Sequence, residues 1–222
     1  MNDCEVSECP ELGIKICSFR YNFNDKLTKE HIEIIKKCET VVFKCKFNQS
    51  LDNLPNNVKQ VSIQNNDYNK DLNNLPISLT FLIIECNHFS GDISFLPENL
   101  KVLFFKTKIT NKQIENLPKL RYLCTYFSED IKNLPDSIEY LKILNSKGNH
   151  FDVGEVKKFK IINLPKSLHT LVFYMDYYDE NEDIIKMIET KFPFVKKYFE
   201  LIIFSKTEKY LQYYDFMSLL KN

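Results

Sequence analysis

The chain of 222 residues has no tryptophan, only four glycines and no net charge, thirty lysines and arginines balancing thirty aspartates and glutamates. Each shortage excludes something. Balanced charge gives no general attraction to nucleic acid or to an anionic membrane surface. Glycines this few, and never clustered, cannot build a loop that cradles phosphate. Nothing approaches the roughly 18 consecutive apolar residues of a transmembrane helix. The first stretch, Met1 to Glu11, is polar and acidic, unlike a secretory leader. Seven cysteines is an odd number and most stand inside apolar strand patterns, so reduced thiols in an intracellular protein are expected.

What is present in excess is phenylalanine, tyrosine, asparagine and lysine, a bias that suggests AT-rich codons, and one recurring dipeptide. Leu-Pro occurs at Leu54-Pro55, Leu75-Pro76, Leu96-Pro97 and Leu117-Pro118 in steps of 21, then at Leu134-Pro135 after 17 and at Leu164-Pro165 after 30. A period near 20 marks stacked supersecondary units, none able to bury its apolar face alone.

Around each Leu-Pro the pattern is regular. Three residues before it stands an aliphatic side chain: Leu51, Leu72, Ile93, Ile114, Ile131 and Ile161. Seven before it stands Phe47, Tyr68, Phe89 or Phe127, with Thr110 and Lys157 as exceptions. After it comes apolar-x-x-apolar-x-apolar, as in Val58, Val61, Ile63 and in Leu79, Leu82, Ile84. The later copies are Leu100, Leu103, Phe105; Leu120, Leu123, Thr125; Ile138, Leu141, Ile143; and Leu168, Leu171, Phe173. The last two positions of each set alternate with other residues, which is a short strand with one face inward. Proline has no donor to give a ladder and belongs on the turn before the strand. Side-by-side stacking then predicts an α/β repeat, a leucine-rich-repeat-like solenoid. Its curved parallel sheet would lie on the concave side and irregular or short-helical segments on the convex side, with the aromatic positions stacking as a second apolar spine. Asn66 and Asn87 fall where such repeats place an asparagine that hydrogen-bonds the turn, and Lys108, Ser128, Ser146 and Asp176 stand there in later copies.

The string Phe47-Asn48-x-x-Leu51-x-x-Leu54-Pro55-x-x-Val58-x-x-Val61-x-Ile63 resembles the FNIP repeat, a relative of the leucine-rich repeat, with degenerate copies from Tyr68-Asn69, Phe89-Ser90 and Phe127-Ser128. The resemblance covers residues 38 to 175 or so. FNIP repeats abound in social amoebae and in giant viruses of amoebae, so it implies an intracellular protein, in host cytoplasm if viral. It implies an interaction fold and no catalytic residues. FNIP proteins often carry an N-terminal F-box that joins them to a ubiquitin ligase, and the stretch before the repeats matches no F-box.

The flanks read as caps, dividing one continuous solenoid into a capping strand and helix at 1–37, repeats at 38–178 and capping helices and strand at 179–222. Thr28 is placed to cap a helix over Lys29 to Lys37, followed by a first strand at Val41 and Phe43, and Ile14 and Ile16 alternate as an edge strand. At the other end Ile184, Ile185 and Ile188 read as a helix, Phe199 to Phe204 as a strand, and Leu211, Tyr214, Met217 and Leu220 as a last amphipathic helix. The 30-residue step exceeds the 21-residue one by nine, around Asn145 to Lys157, and must bulge out as a loop: either a partner contact or a tolerated insertion.

Little chemistry is on offer. Cys4, Cys9 and Cys17 could belong to a metal site or a disulfide cap, but a zinc site wants a second close pair, and none follows. Cys45 and Cys86, at equivalent repeat positions, read as small buried side chains. His31, His88, His150 and His169 are scattered, and the acidic stretch Asp176 to Asp183 lacks the glycine of a calcium loop. Neither a cofactor nor a catalytic group is predicted.

The best functional candidate is a surface. The side chains between inward residues form two columns on the concave face, Gln60, Phe81, Val102, Tyr122, Tyr140, Thr170 and Ser62, Ile83, Phe104, Cys124, Lys142, Val172. Exposed aromatic and aliphatic columns mark interaction sites. Phe81, Ile83, Val102, Phe104, Tyr122, Tyr140, Lys142 and Val172 are therefore the expected partner-binding residues. The partner expected is a protein, with neither nucleic acid nor membrane involved. Two readings compete: a protein-interaction module and a self-assembling structural protein, a homo-oligomer through this face. Capping segments or a second copy could also cover the face.

Overall fold

In the computed structural model, which describes residues 3–10, 12–127, 130–144 and 162–173, every apolar pair that closes the repeat pattern lies on a short strand. The strands are β1 (Cys4–Cys9), β2 (Ile14–Phe19), β3 (Thr40–Phe43), β4 (Gln60–Ile63), β5 (Phe81–Ile84), β6 (Val102–Ile109), β7 (Tyr122–Phe127), β8 (Tyr140–Ile143) and β9 (Thr170–Phe173). Two short helices, α1 (Lys29–Ile35) and α2 (Asn111–Ile114), sit in the connections. All nine strands form one sheet in chain order. β1 is antiparallel to β2, and every later pair is parallel. The chain is a mostly-sheet β-solenoid of about six turns.

The register is what makes the stack. Val41, Val61, Leu82, Leu103, Leu123, Leu141 and Leu171 stand in line across seven strands, and all are buried. Two residues on, Phe43, Ile63, Ile84, Phe105, Thr125 and Ile143 form a parallel buried line. Each such aliphatic or aromatic side chain gains about 1.5–3 kcal/mol from burial. A third line, Val58, Leu79, Leu100, Leu120, Ile138 and Leu168, sits on the turn before the strand. There the N–H of Val58, Leu79, Leu100, Ile138 or Leu168 donates to the carbonyl of Pro55, Pro76, Pro97, Pro135 or Pro165 at 2.9–3.1 Å. Proline at that position gives up no hydrogen bond, because only its carbonyl is used.

The fourth Leu-Pro departs from the pattern. Leu120 donates to the carbonyl of Leu117 rather than of Pro118, so the dipeptide is one residue late relative to its strand. From Leu103 to Leu123 the rung step is 20, although the Leu-Pro step is 21. The register of β6 on β7 also shifts between Phe105 and Lys108. Thr110, out of place as an aromatic position, instead caps α2, its N–H donating to Gln113 Oε1 at 2.8 Å. Ile109 beside it is fully buried.

The aromatic spine forms from Phe47 to Phe89 and starts one turn earlier than its sequence pattern, while the Phe127 side chain lies outside the described ones. Phe47 stacks on Tyr68 with centroids 6.3 Å apart, and Tyr68 on Phe89 at 6.2 Å. Phe23, outside the repeat register, extends it by stacking on Phe47 at 5.9 Å. The asparagine excess also finds its use on the return side, where side chains bind the backbone of the next turn. Asn24 Oδ1 accepts the N–H of Asn48 at 2.7 Å and Asn48 Oδ1 that of Asn69 at 3.1 Å. Asn57 donates to the Cys38 carbonyl at 2.7 Å, and Asn111 to that of Asp130 at 2.8 Å.

Three expectations need correction. Ile14 and Ile16 are on β2, but the edge belongs to β1, which pairs with it as a hairpin, so Val41 and Phe43 stand on the third strand; the helix over residues 29–35 lies between β2 and β3, where it was expected. Thr28 caps it as expected, accepting from His31 N–H at 3.4 Å. The turn asparagine is Asn65, not Asn66. Asn65 is buried, donates to the Phe47 carbonyl at 2.9 Å and accepts from Asp67 N–H at 3.0 Å, whereas Asn66 and Asn87 are exposed and meet each other at 3.2 Å. Cys86 takes the inward turn place in the next rung, against the carbonyls of Asn66 and Tyr68, while Cys45 is exposed. Inward alternation persists one step past β4 and β5, which puts positions 65 and 86 inside, but not past β3, where Cys45 turns outward.

Two glycines show why so few suffice. Gly13 closes the β1–β2 turn at φ +64, its N–H donating to the Cys9 carbonyl at 2.9 Å. At Gly91 a Cβ would lie 2.5 Å from the Lys70 carbonyl oxygen, so only glycine lets adjacent turns approach there. The Asn145–Lys157 insertion and the cap expected at 179–222 lie outside the described residues.

Candidate functional site

Strand alternation that sends Leu82 and Ile84 inward sends Phe81 and Ile83 to the opposite face, and the same holds in every rung. The first column there runs Thr40, Gln60, Phe81, Val102, Tyr122, Tyr140, Thr170, and the second runs Val42, Ser62, Ile83, Phe104, Cys124, Lys142, Val172. All eight expected partner-binding residues are thus brought onto one face of β5 to β9. The face changes character along the stack. At β3 and β4 it is polar: Thr40 donates to Gln60 Oε1 at 3.1 Å, and the buried Ser62 hydroxyl has no hydrogen-bond partner. At β5 and β6 it is apolar. Phe81, Ile83, Val102, Phe104 and Cys124 form a second core cluster, separate from the inner one, with Tyr122, Tyr140 and Leu144 packed against it.

The exposure expected of these columns is not observed. Phe81 is 4% and Phe104 6% exposed, and Ile83, Val102, Lys142 and Val172 are buried as well. Only Tyr122 and Tyr140 are half-buried. Strands about 4.8 Å apart press bulky neighbours together laterally, which hides their flanks.

The accessible part is a rim at β7–β9. The Tyr122 and Tyr140 rings lie 6.2 Å apart, tilted by 42°. The Arg121 guanidinium stands 5.7 Å from the Tyr122 ring centroid and grips the Glu139 carboxylate with two hydrogen bonds, at 2.8 and 2.6 Å. His169 Nε2 is 3.8 Å from the same carboxylate. Arg121, lying beside it, holds the Glu139 carboxyl below the usual range. Sequence reasoning named Tyr122 and Tyr140 but overlooked the charged part of this rim, Arg121, Glu139 and His169. Its signal is the residue just before each strand, Glu39, Lys59, Thr80, Lys101, Arg121, Glu139, His169, a polar column that aligning the repeats exposes.

Burial dominates the electrostatics of the covered part. It raises the Glu85 carboxyl above its ordinary range, with Lys106 pulling the other way. It pushes the Cys124 thiol and the Tyr126 hydroxyl up to about 12 each, so neither ionises near neutrality. A thiol held protonated is no nucleophile. At the opposite end of the stack Cys4, Cys17 and Cys38 are free, and burial, with Cys4 close by, raises the Cys17 thiol. Among the described residues no three of the metal-ligating types gather to hold an ion, and no helix is long and apolar enough to cross a membrane. The acidic stretch Asp176 to Asp183 and His150 lie outside the described residues.

No protein-family model, curated protein or solved structure matches the chain.

Proposed function

We propose that the chain is a non-enzymatic protein-interaction module, an FNIP-like repeat whose solenoid presents the second face of the sheet to a protein partner. The observation that carries this reading is the rim of Arg121, Tyr122 and Tyr140: arginine and tyrosine, half-exposed, pre-oriented by ring and carboxylate contacts, on rigid strands. These residue types dominate binding energy in interfaces, and side chains already held in place lose little entropy on docking. Of the expected partner-binding residues, Tyr122 and Tyr140 make direct contact in this reading. Phe81, Ile83, Val102 and Phe104 form the cluster they pack against on the same face, and Lys142 and Val172 continue that face on β8 and β9. An intracellular site of action, with a host or ubiquitin-ligase-related protein as partner, belongs to the same reading and rests on the repeat resemblance.

The test compares purified tagged wild type with Tyr122→Ala/Tyr140→Ala and with Arg121→Glu. Unchanged unfolding midpoints together with loss of one specific captured protein, then reconstituted from pure components, support it. A partner retained by both variants sinks it. Self-assembly through the face is the alternative. It predicts a concentration-dependent mass in light scattering that the tyrosine variant lowers.

A further inference from the structure

We propose that the outer edge of β1 accepts an extended, basic segment of a partner protein, which adds one more strand, antiparallel to β1, at the opposite end of the sheet from the rim. The ladder shows which backbone groups are free for this. Arg20 N–H donates to the Asp3 carbonyl at 2.9 Å, and the two residues stand opposite each other one step beyond the Cys4–Phe19 pair. Hydrogen-bonded pairs alternate with unbonded ones in an antiparallel ladder, so Glu5, Ser7 and Cys9 bond to β2. Cys4, Val6 and Glu8 then point their N–H and C=O groups away from it. The next strand fixes the same phase: the Lys15 carbonyl accepts from Glu39 N–H at 3.0 Å on the β3 side, which leaves Ile14, Ile16 and Ser18 for β1. β1 stands first in the sheet, with no described strand beyond it. Glu5, Val6, Ser7 and Glu8 are all exposed, Val6 at 47%.

Sheets usually blunt such an edge by keeping it short, bulging it or placing a proline in it. β1 does none of these. It runs six residues where β3, β4, β5, β8 and β9 run four, and it pairs in unbroken register. Its proline, Pro10, comes only after its end. What β1 carries is negative charge, and that selects the occupant. Glu5 and Glu8 are three apart, so their side chains leave opposite faces of the sheet. Among the described residues neither closes an ion pair, although Lys15 is the ladder neighbour of Glu8. Asp3, just before the strand, is engaged with His31 at 3.4 Å. A second copy of β1 would bring the same two carboxylates to the ladder and no lysine or arginine to meet them. An antiparallel strand reading basic-x-apolar-basic instead sets its cations beside Glu8 and Glu5 and its apolar residue beside Val6. Opposite charges across a ladder stabilise it and like charges oppose it. Backbone hydrogen bonds supply the affinity of an added strand, and its side chains supply the selectivity. This edge is separate from the rim of Arg121, Tyr122 and Tyr140, so the inference does not rest on that reading.

The probe is a synthetic peptide, acetyl-Thr-Lys-Thr-Val-Lys-Thr-amide, added at millimolar concentration to the isotopically labelled full chain and followed by amide NMR. The amide signals of β1 should shift, and those of Cys4, Val6 and Glu8 should exchange several-fold more slowly with solvent. A control peptide with glutamate in place of both lysines should leave them unmoved. Val6→Pro removes one outward donor and no β1–β2 hydrogen bond, so it should abolish the response with the melting temperature little changed. Should that variant fail to fold, Glu5→Lys/Glu8→Lys decides instead, because it alters only exposed side chains and should prefer the glutamate peptide. No response at β1, equal responses to both peptides, or a response unchanged in the variants would overturn the proposal. A dimer of the protein alone that Val6→Pro dissolves would overturn it too, by making a second copy the occupant.

Discussion

On the inner face of the sheet the rungs from β3 to β9 repeat one choice, Val41, Val61, Leu82, Leu103, Leu123, Leu141, Leu171; on the other face the same strands pass from Gln60 through Phe81 and Val102 to Tyr122, Tyr140 and Thr170. The inner column is uniform because each residue packs on its own equivalents above and below, so all rungs impose one shape. The outer column carries no such uniform choice and passes from polar to apolar to aromatic along the stack. Yet Phe104 is almost as buried as Leu103. Uniformity along the stack thus marks the inner core, and the outer cluster reaches comparable burial with dissimilar side chains packed on one another.

The comparison can be broken at its strongest point with Phe104→Ala. A covered ring should cost about 3–5 kcal/mol in urea unfolding, as in a true core. A loss under about 1 kcal/mol would return the face to the surface class. Leu103→Ala, one residue away on the inner face, should cost about 2–5 kcal/mol; a negligible loss would show that the rung register is wrong. Asn65→Ala leaves the Phe47 carbonyl and the Asp67 N–H without their partner and should cost about 1–3 kcal/mol. Asn66→Ala, exposed and one residue on, should change the unfolding midpoint little, and a reversal of this pair would overturn the placement of the turn asparagine.

The smallest effect concerns pH. Burial raises the Glu85 carboxyl in the folded state, so the folded chain holds that proton more tightly than the unfolded one. Its contribution favours folding at acid pH and is lost as pH rises through the raised value. Glu85→Gln should therefore increase the melting temperature near pH 7, and the gain should vanish below the carboxyl's unfolded value. A gain independent of pH, or a loss near pH 7, would show that the carboxylate is solvated or usefully paired.

Much of the fold was legible in advance, and the failures have local causes. Leu82 and Ile84 announce a strand because alternation is a property of the backbone. Leu117-Pro118 stands one residue late because α2 and the register shift after Phe105 change the count between β6 and β7, while Leu120, Leu123 and Thr125 take their expected places. Asn66 looked right by analogy, and Asn65 won because inward alternation runs one further step, two residues, beyond β4. Phe23 joined the aromatic spine from outside any repeat, where no period points to it.

Sequence by itself determined the rung period, the inward columns, the turn prolines and the location of the second face, because each depends on neighbours a few residues away or one repeat apart. Tertiary structure decided which strand forms the edge, that Tyr122 and Tyr140 remain accessible, that Arg121 meets Glu139, and that Phe81 and Phe104 are covered. Those are contacts between segments with no fixed spacing. Alternation states only which face of the sheet a side chain joins, and how it packs with its neighbours there decides whether it becomes surface or core.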